Sequence, residues 1–476
     1  MTREPAPRLP IRAADVLARG KAAFDVVERE TSHGNRDLFK LLDVLGIGGP
    51  HEVVSPWELR DPEGRHLVHA GGYAAVPFGE AYPPLVEFIE AFLRDNRQLG
   101  LAQQSVSEWR SALAANLVAL LASVAPSHAG SRVFFVNSGA EAVEAAMKMA
   151  LAFRPGAKAF VNFERAYHGK TLGALSLTPN EEYQGPFRPL RETLTLPYGD
   201  EGALANALAR RAKDVAAIVV EPVLGEAGVF TPPDGFLRRL GELARENGVP
   251  VIADEIQTGL GRTGHWFASV AAGLEPDIVT LAKPLGGGLV PVGAVIARRD
   301  IYRALLPRTA SKRHSNTFGG GSLASAVALR SLEIIVDERL DLRSRRLGEA
   351  GLERMRATAS RFPNLIAEAR GAGMLFAFTL QPILGFKMPG VLEEDVQAIT
   401  AALALRQLQE AGVYACYSDN GNRVVRFTPP LNMPEELLDT LWDRVDAFAA
   451  ANPRSLRLLQ RYPLPKLLQL VKLAYA

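Results

Sequence analysis

Cysteine is nearly missing from this chain: Cys416 is the only one among 476 residues. No intrachain disulfide can form, no Cys-based metal site is expected, and a reducing, cytoplasmic compartment fits this usage. An excess of either charge is missing as well, since 54 Lys and Arg stand against 52 Asp and Glu. That balance offers no electrostatic footprint for nucleic acid, although the sequence pI of about 8.6 is mildly basic. Long apolar runs are lacking too. The longest, Leu113 to Ala125, contains Asn116, and it is too short for a membrane span, which needs roughly 20 apolar residues. It predicts a buried helix. The N-terminus, MTREPAPRLPIRAADVLARG, carries charge and proline without an apolar centre, unlike a secretory signal. No GxxxxGK[ST] loop is present and no GxGxxG loop stands in a first βαβ unit, which counts against ATP and NAD. The GIGG stretch (Gly46, Gly48, Gly49) has no strand before it and reads as a helix C-cap.

What is there is an ordinary globular composition, 47% hydrophobic and 22% charged, in a chain long enough for two or three domains. Residues 1–50 predict an arm with one or two helices. WELRDPEGRHLVHAGG predicts a hairpin around Asp61–Gly64, and the spacing of apolar residues predicts helix over most of Leu85 to Ala125. From Ser131 the pattern becomes α/β. VFFV, KAFVNFE, VAAIVVEPV, VPVIA, DIVTLA and PVGAVIARRD read as strands separated by helical segments. Such alternation implies a mainly parallel sheet with helices on both faces. After Gly321 a long helix begins. Beyond about Asp341 come another helix, strands around MLFAFTL and VVRFTPP, and a helix from Glu435 to Ala450, which together read as a separate α+β unit.

Chemistry in open α/β sheets gathers outside the carboxyl ends of the strands. VPVIA ends in Asp254, Glu255 and Gln257, and DIVTLA ends in Lys283 before a run of glycines. Their separation is about that of one βαβ unit, roughly 30 residues, so the two side chains can emerge from neighbouring strand ends. An Asp beside such a Lys suits a pyridoxal phosphate site, the Lys forming a Schiff base and the Asp keeping the pyridine nitrogen protonated. Solvated strand-end residues or a surface ion pair are the plain alternative. Three loops extend the pattern. Ser138, Gly139 and Ala140 lie at a strand-to-helix junction, where free amides and small residues admit a phosphate, although Ser-Gly is also an ordinary N-cap. Tyr167 and His168 follow the next strand, and an aromatic there stacks on a flat heterocycle or simply packs. Thr317, in SNTFGGGS, offers a hydroxyl to a phosphate or belongs to a glycine-rich turn.

Taken together, NSGAEAVEAAMK, YHG, VEPV, IADEIQTGLGRTG, DIVTLAKPLGGG, PVGAV and NTFGG resemble, in order and spacing, the class III or ω-aminotransferase family of fold-type I pyridoxal phosphate enzymes. The resemblance is dense from about Ser131 to Leu329 and continues more weakly to about Ala450. It implies an α/β fold with a mainly parallel central sheet flanked by helices, plus a smaller α+β domain built from the chain ends. The division it implies is 1–75 for the arm and part of the small domain, 76–338 for the large cofactor domain, 339–453 for the C-terminal small domain and 454–476 for a tail. Lys283 would hold pyridoxal 5'-phosphate covalently and shuttle the proton. Asp254 would pair with the ring nitrogen, Gln257 with the ring hydroxyl, and Tyr167 would stack on the ring, with His168 beside it. Ser138, Gly139 and Ala140 would bind the phosphate. Thr317 would reach the phosphate of a neighbouring subunit, which implies a homodimer with shared sites, and Glu221 of VEPV would support the ring.

Substrate choice is implied by fewer positions. RVVRFTPPL resembles the segment carrying the arginine that grips the α-carboxylate of glutamate and 2-oxoglutarate, and Arg426 matches it. A surface strand arginine is the alternative, and Arg423 stands nearby. Glu226 of GEAG falls where relatives using a terminal amine have a glutamate that pairs with this arginine and then releases it. Tyr73 of GGYAAV falls where ornithine-using relatives have a substrate-facing tyrosine. The family commonly has Gly-His before a proline where this chain reads PFGEAYPP, with Glu80 after Gly79, so the donor pocket departs there. The N-terminal extension, PFRPL and EARGAGMLFAF resemble the putrescine aminotransferase branch. The basic, leucine-rich tail RSLRLLQRYPLPKLLQLVKLAYA is expected to dock on its own protein or on a dimer mate rather than on a membrane. The implied reaction moves a terminal amino group from an ornithine-, acetylornithine-, putrescine-, lysine- or 4-aminobutyrate-type donor to 2-oxoglutarate by a ping-pong mechanism. Racemisation or epimerisation of an amino acid on the same scaffold is the alternative. No metal is expected.

Overall fold

The computed structural model describes residues 11–18, 26–101, 105–188, 190–383, 393–418, 420–421, 423–463, 465–466 and 469. Helices Ala13–Leu17, Val26–His33 and Arg36–Leu45 open the chain, one more than the arm was expected to hold. The last of them ends on Gly46 in the left-handed conformation (φ 71°), with its N–H bonded back to the helix. That is the C-cap expected of GIGG. Strands β1 (Glu52–Ser55), β2 (Glu58–Arg60) and β3 (His66–His69) follow, β2 and β3 forming the expected antiparallel hairpin. Asp61 sets its turn: the carbonyl accepts from Gly64 N at 2.9 Å and the carboxylate from Arg65 N at 2.8 Å.

The central sheet comprises β4 (Arg132–Val136), β5 (Ala159–Phe163), β6 (Thr193–Leu196), β7 (Val215–Val220), β8 (Val251–Asp254), β9 (Ile278–Leu281) and β10 (Gly293–Ala297). Its spatial order is β4-β10-β9-β8-β7-β5-β6. The pairs from β9 through to β6 are parallel, and β10 runs antiparallel to both its neighbours. Strands β5, β7, β8, β9 and β10 are buried along their whole length, as continuous apolar runs covered on both faces must be. Alternate residues serve opposite faces. Val279, Leu281, Ala294 and Ile296 join Leu113, Leu117 and Leu121 in one core, whereas Ile278, Val295 and Ala297 join Ala142, Ala146 and Met149 in another. The leucines at i, i+4 and i+8 are fully buried, each worth about 1.5–3 kcal/mol of transfer energy.

The stretch from Leu85 to Ala125 is two helices, Pro83–Asp95 and Glu108–Val124. Polar side chains compete with the helix between them: Asn96 turns extended and accepts from Trp109 Nε1 at 3.2 Å, and Ser107 caps the next helix through Arg110 N. The strand expected to reach Val223 stops at Val220, because Glu221 and Pro222 turn out of the ladder.

Helices Ser322–Asp337 and Leu340–Arg361 lead into β11 (Ile366–Ala372), β12 (Leu375–Leu380), β13 (Val413–Tyr414), β14 (Cys416–Tyr417) and β15 (Val424–Phe427). One small sheet has the order β11-β12-β15-β14, and β13 adds in parallel to β3 in the other. Residues from both ends of the chain therefore share an α+β unit, closed by helix Glu435–Ala451. The described part of the tail docks on the chain itself: Leu458 is fully buried and its carbonyl accepts from Gln407 Nε2 at 2.8 Å. The rest of the tail falls outside the described residues. Among the described residues no helix is long and apolar enough to cross a membrane.

Candidate active site

The carboxyl ends of β4, β5, β7, β8 and β9 open into one cavity of about 490 Å³, lined by Ser138, Gly139, Tyr167, Glu221, Asp254 and Lys283 among others. Topology explains the convergence. Since β10 is antiparallel to both β4 and β9, those two run the same way, and all five ends face one side. Ser138 caps helix Gly139–Phe153 by accepting from Glu141 N at 3.2 Å, while Glu141 reaches back to Asn137 N at 2.7 Å. The first helical amides, at Gly139 and Ala140, have no acceptor within the helix and face the cavity.

Asp254 ends β8 in register with Thr280 of β9. Its Oδ2 meets His168 Nδ1 at 2.7 Å, and its Oδ1 accepts from Thr280 Oγ1 at 3.1 Å and Ile256 N at 3.2 Å. His168 is completely buried. Burial by itself would lower its pKa, but the bond to Asp254 and the charges of Asp254 and Glu221 outweigh that and raise it. Glu221 spans two loops, accepting from Tyr167 N at 2.8 Å through Oε1 and from Gly225 N at 3.1 Å through Oε2. Burial lifts its pKa to about 7, against the pull of His168. The loop holding Tyr167 and His168 is fixed from behind. Thr178 Oγ1 accepts from His168 N at 2.9 Å, and Glu144 accepts from Thr171 Oγ1 and Gly173 N, both at 2.8 Å.

Beside this floor lies a second cluster. Arg426 Nη2 and Glu226 Oε2 are 2.6 Å apart with side chains 0% and 5% exposed, and Lys283 Nζ stands 3.9 Å from Glu226 Oε1. Burial would lower the Arg426 pKa, but Glu226 more than offsets it and the guanidinium stays charged. Gln257 joins the pair, donating from Nε2 to Glu226 Oε1 at 3.2 Å and to the Tyr73 carbonyl at 3.3 Å. Gly225 leaves room for this side chain: a Cβ on it would lie 1.5 Å from Gln257 Oε1, so the amide would have to move. The Arg426 guanidinium carbon is 5.3 Å from the centre of the Tyr73 ring, which meets the Tyr417 ring edge-on at 6.0 Å. Burial pushes the Tyr73 hydroxyl pKa well up. A buried ion pair is a poor source of stability, so one kept beside a lysine points to chemistry.

The residue types of a carboxylate, a lysine, free helix amides and a stacking ring thus meet in one cavity. A family model described as Aminotransferase class-III matches residues 57–448. The chain belongs to the class III aminotransferase family. It is similar to aminotransferase PigE of Serratia sp., 33% identical over 473 residues that cover 91% of this chain and 54% of PigE, so the chain spans about half the length of that relative. Among solved structures, the ornithine aminotransferase of Toxoplasma gondii ME49 is 28% identical with a TM-score of 0.79, covering 94% of this chain and 99% of that one. The acetylornithine aminotransferase of Elizabethkingia anophelis is 30% identical with a TM-score of 0.72, covering 90% and 98%. A class III aminotransferase is a pyridoxal-phosphate-dependent transferase. The donor set of this chain fits that cofactor: helix amides for a phosphate, a buried carboxylate for a ring nitrogen, and a lysine amine between them.

Other expected residues fall as follows. Arg426 is fully buried, not on the surface, whereas Arg423 points away and donates to the Leu380 carbonyl at 3.0 Å. Glu80 turns from the cavity to His69, Oε1 to Nε2 at 3.0 Å, and the bond to His69 lowers its pKa. Thr317 is exposed and outside the cavity lining. Glu144 and Thr280 fall inside NSGAEAVEAAMK and DIVTLAKPLGGG, yet nothing in those runs signals their bonding partners, and Tyr417 falls outside every motif.

Proposed function

We propose that the chain transfers a terminal amino group from a diamine or ω-amino acid to 2-oxoglutarate in two alternating half-reactions. The donor would be of the ornithine, acetylornithine, putrescine, lysine or 4-aminobutyrate type. The observation that carries this reading is the closed Glu226–Arg426 pair beside Lys283. A guanidinium fork suits the α-carboxylate of a dicarboxylic keto acid. Glu226 covers it while a donor's amine occupies the site, and gives it up when the dicarboxylate arrives. A racemase needs no such alternation, which is why that second reading ranks lower.

Pyridoxal phosphate, when bound, would supply the electron sink that makes a proton on the donor's amine-bearing carbon removable. Lys283 would hold it covalently, and its freed Nζ would take up the proton released from that carbon. Asp254 keeps a proton on the ring nitrogen, steadied by His168 and Thr280. Ser138 has its oxygen engaged with Glu141 N and its hydroxyl proton left to donate, alongside Gly139 N and Ala140 N, to the phosphate. Tyr167 would cover one ring face and Gln257 would meet the ring hydroxyl, while Glu221 ties the Tyr167 loop to the Glu226 loop. Tyr73 faces the donor. Thr317, exposed on its own chain, serves the phosphate held by a second copy in a homodimer with shared sites.

The test is to mix the yellow holoenzyme with single amines in the absence of keto acid. Bleaching of the visible band by one donor, reversed by 2-oxoglutarate, is the expected result. A persistent band with loss of an amino acid's optical rotation would mean racemisation. No change with any of the five donor types would refute the proposed donor class.

A further inference from the structure

The segment that brings Tyr73 to Arg426 is backbone-strained. Gly72, Tyr73 and Ala74 have φ of 81°, 53° and 64° in succession, and left-handed backbone is unfavourable for the two that carry a Cβ. Released from its partners, the Tyr73–Ala74 peptide would let both residues move back toward negative φ, where L-residues are at ease. Both ends of that one peptide are held. Its carbonyl accepts from Gln257 Nε2 at 3.3 Å, and its N–H donates to Thr428 Oγ1 at 3.2 Å. The Thr428 hydroxyl in turn donates to the Gly71 carbonyl at 2.7 Å, and Thr428 N donates to the Ala70 carbonyl at 2.7 Å. Thr428 is fully buried and follows Arg426 by two residues, so the arginine and the hydroxyl come from the same stretch of backbone.

We propose that Thr428 is a positioning residue for the carboxylate site: its hydroxyl locks the Tyr73–Ala74 peptide so that the Tyr73 ring stays against the Arg426 guanidinium. This rests on Arg426 receiving the substrate carboxylate. A freed segment would relax out of its left-handed conformation, carry the ring off the guanidinium and loosen the pocket in which the keto acid is gripped. The chemistry at Lys283 is on the other side of Glu226 and is not part of the clasp.

The experiment is steady-state kinetics of the holoenzyme with varied 2-oxoglutarate. Thr428→Val keeps the shape but leaves the Ala74 N–H buried and unsatisfied. It should raise KM for 2-oxoglutarate about tenfold while kcat changes less than about threefold. Thr428→Ser should return KM to within about twofold of the parent. Ala74→Gly in the Thr428→Val protein should recover at least about threefold, since glycine holds the left-handed turn without the clasp. Thr428→Ala carries the same expectation if the valine protein is recovered unfolded. Arg426→Lys is the reference. If it raises KM and Thr428→Val does not, the clasp is refuted and the carboxylate reading stands; if neither does, the carboxylate reading itself has failed. A fall in kcat with KM unchanged in Thr428→Val would also overturn the clasp.

Discussion

The central sheet has a cavity at each end of β8 and β9, and the two are nearly equal in size. The one at the carboxyl ends holds about 490 Å³ and the one at the amino ends, lined by Ser127, Arg245, Glu275, Asp277 and Arg298 among others, about 510 Å³. Both are rich in charge. The difference is in how the charge is held. At the amino ends, Arg245 and Glu275 stand 3.6 Å apart with side chains 66% and 65% exposed, an arrangement worth about 0–1 kcal/mol. At the carboxyl ends, Asp254, His168, Glu221, Glu226 and Arg426 are all buried and bonded to one another or to amides. Volume does not mark a reactive site in this molecule. Desolvated charge does, because the fold has had to organise around it.

Substitutions can break or sharpen this contrast. The largest effect is expected at Lys283→Ala, which should lower transamination about a thousandfold or more in single-turnover assays and remove the visible chromophore. Next is Arg426→Ala, which strands Glu226 in the interior. Urea unfolding should show a loss of about 3–5 kcal/mol unless Glu226 takes up a proton. A smaller effect comes from Glu221. With its folded pKa raised to about 7 from an unfolded value of 4.5, its protonated form is the one that suits the fold. The stability it contributes is therefore full below pH 4.5 and lost as pH rises through 7. Glu221→Gln should flatten the fall in apoprotein stability across that window by up to about 1.4 kcal/mol per pH unit. Smallest is Arg245→Ala at the opposite cavity, expected to leave activity within about twofold and stability within about 1 kcal/mol. A large effect there would erase the distinction.

Much of this was legible in the sequence because it is local. Asp254 and Lys283 end short apolar runs, the turn at Asp61–Gly64 states itself, and Gly46 stops a helix as its position demands. The Glu226–Arg426 pair bridges 200 residues, and only the likeness of GEAG and RVVRFTPPL to a family made it visible. Other features had no local signal. The break between Asp95 and Glu108 depends on Asn96 finding Trp109. The turn at Gly72–Ala74 is held by Thr428 and Gln257, neither of which is near it in the chain. Glu80, an apparent departure at the substrate entrance, has its explanation in His69, which periodicity cannot pair with it.

The antiparallel strand β10 also fixes an order of events during synthesis. β4 takes its place in the sheet by pairing with β10, which is translated after β5 through β9. The stretch carrying Ser138 and Gly139 leaves the ribosome early, yet its neighbour across the ladder arrives last of the seven. Until then helix Gly139–Phe153, with its buried face of alanine, valine and methionine, has only part of its seat. The growing chain therefore exposes an apolar helix and an open strand edge until β10 appears, a form prone to wrong pairing and suited to chaperone capture.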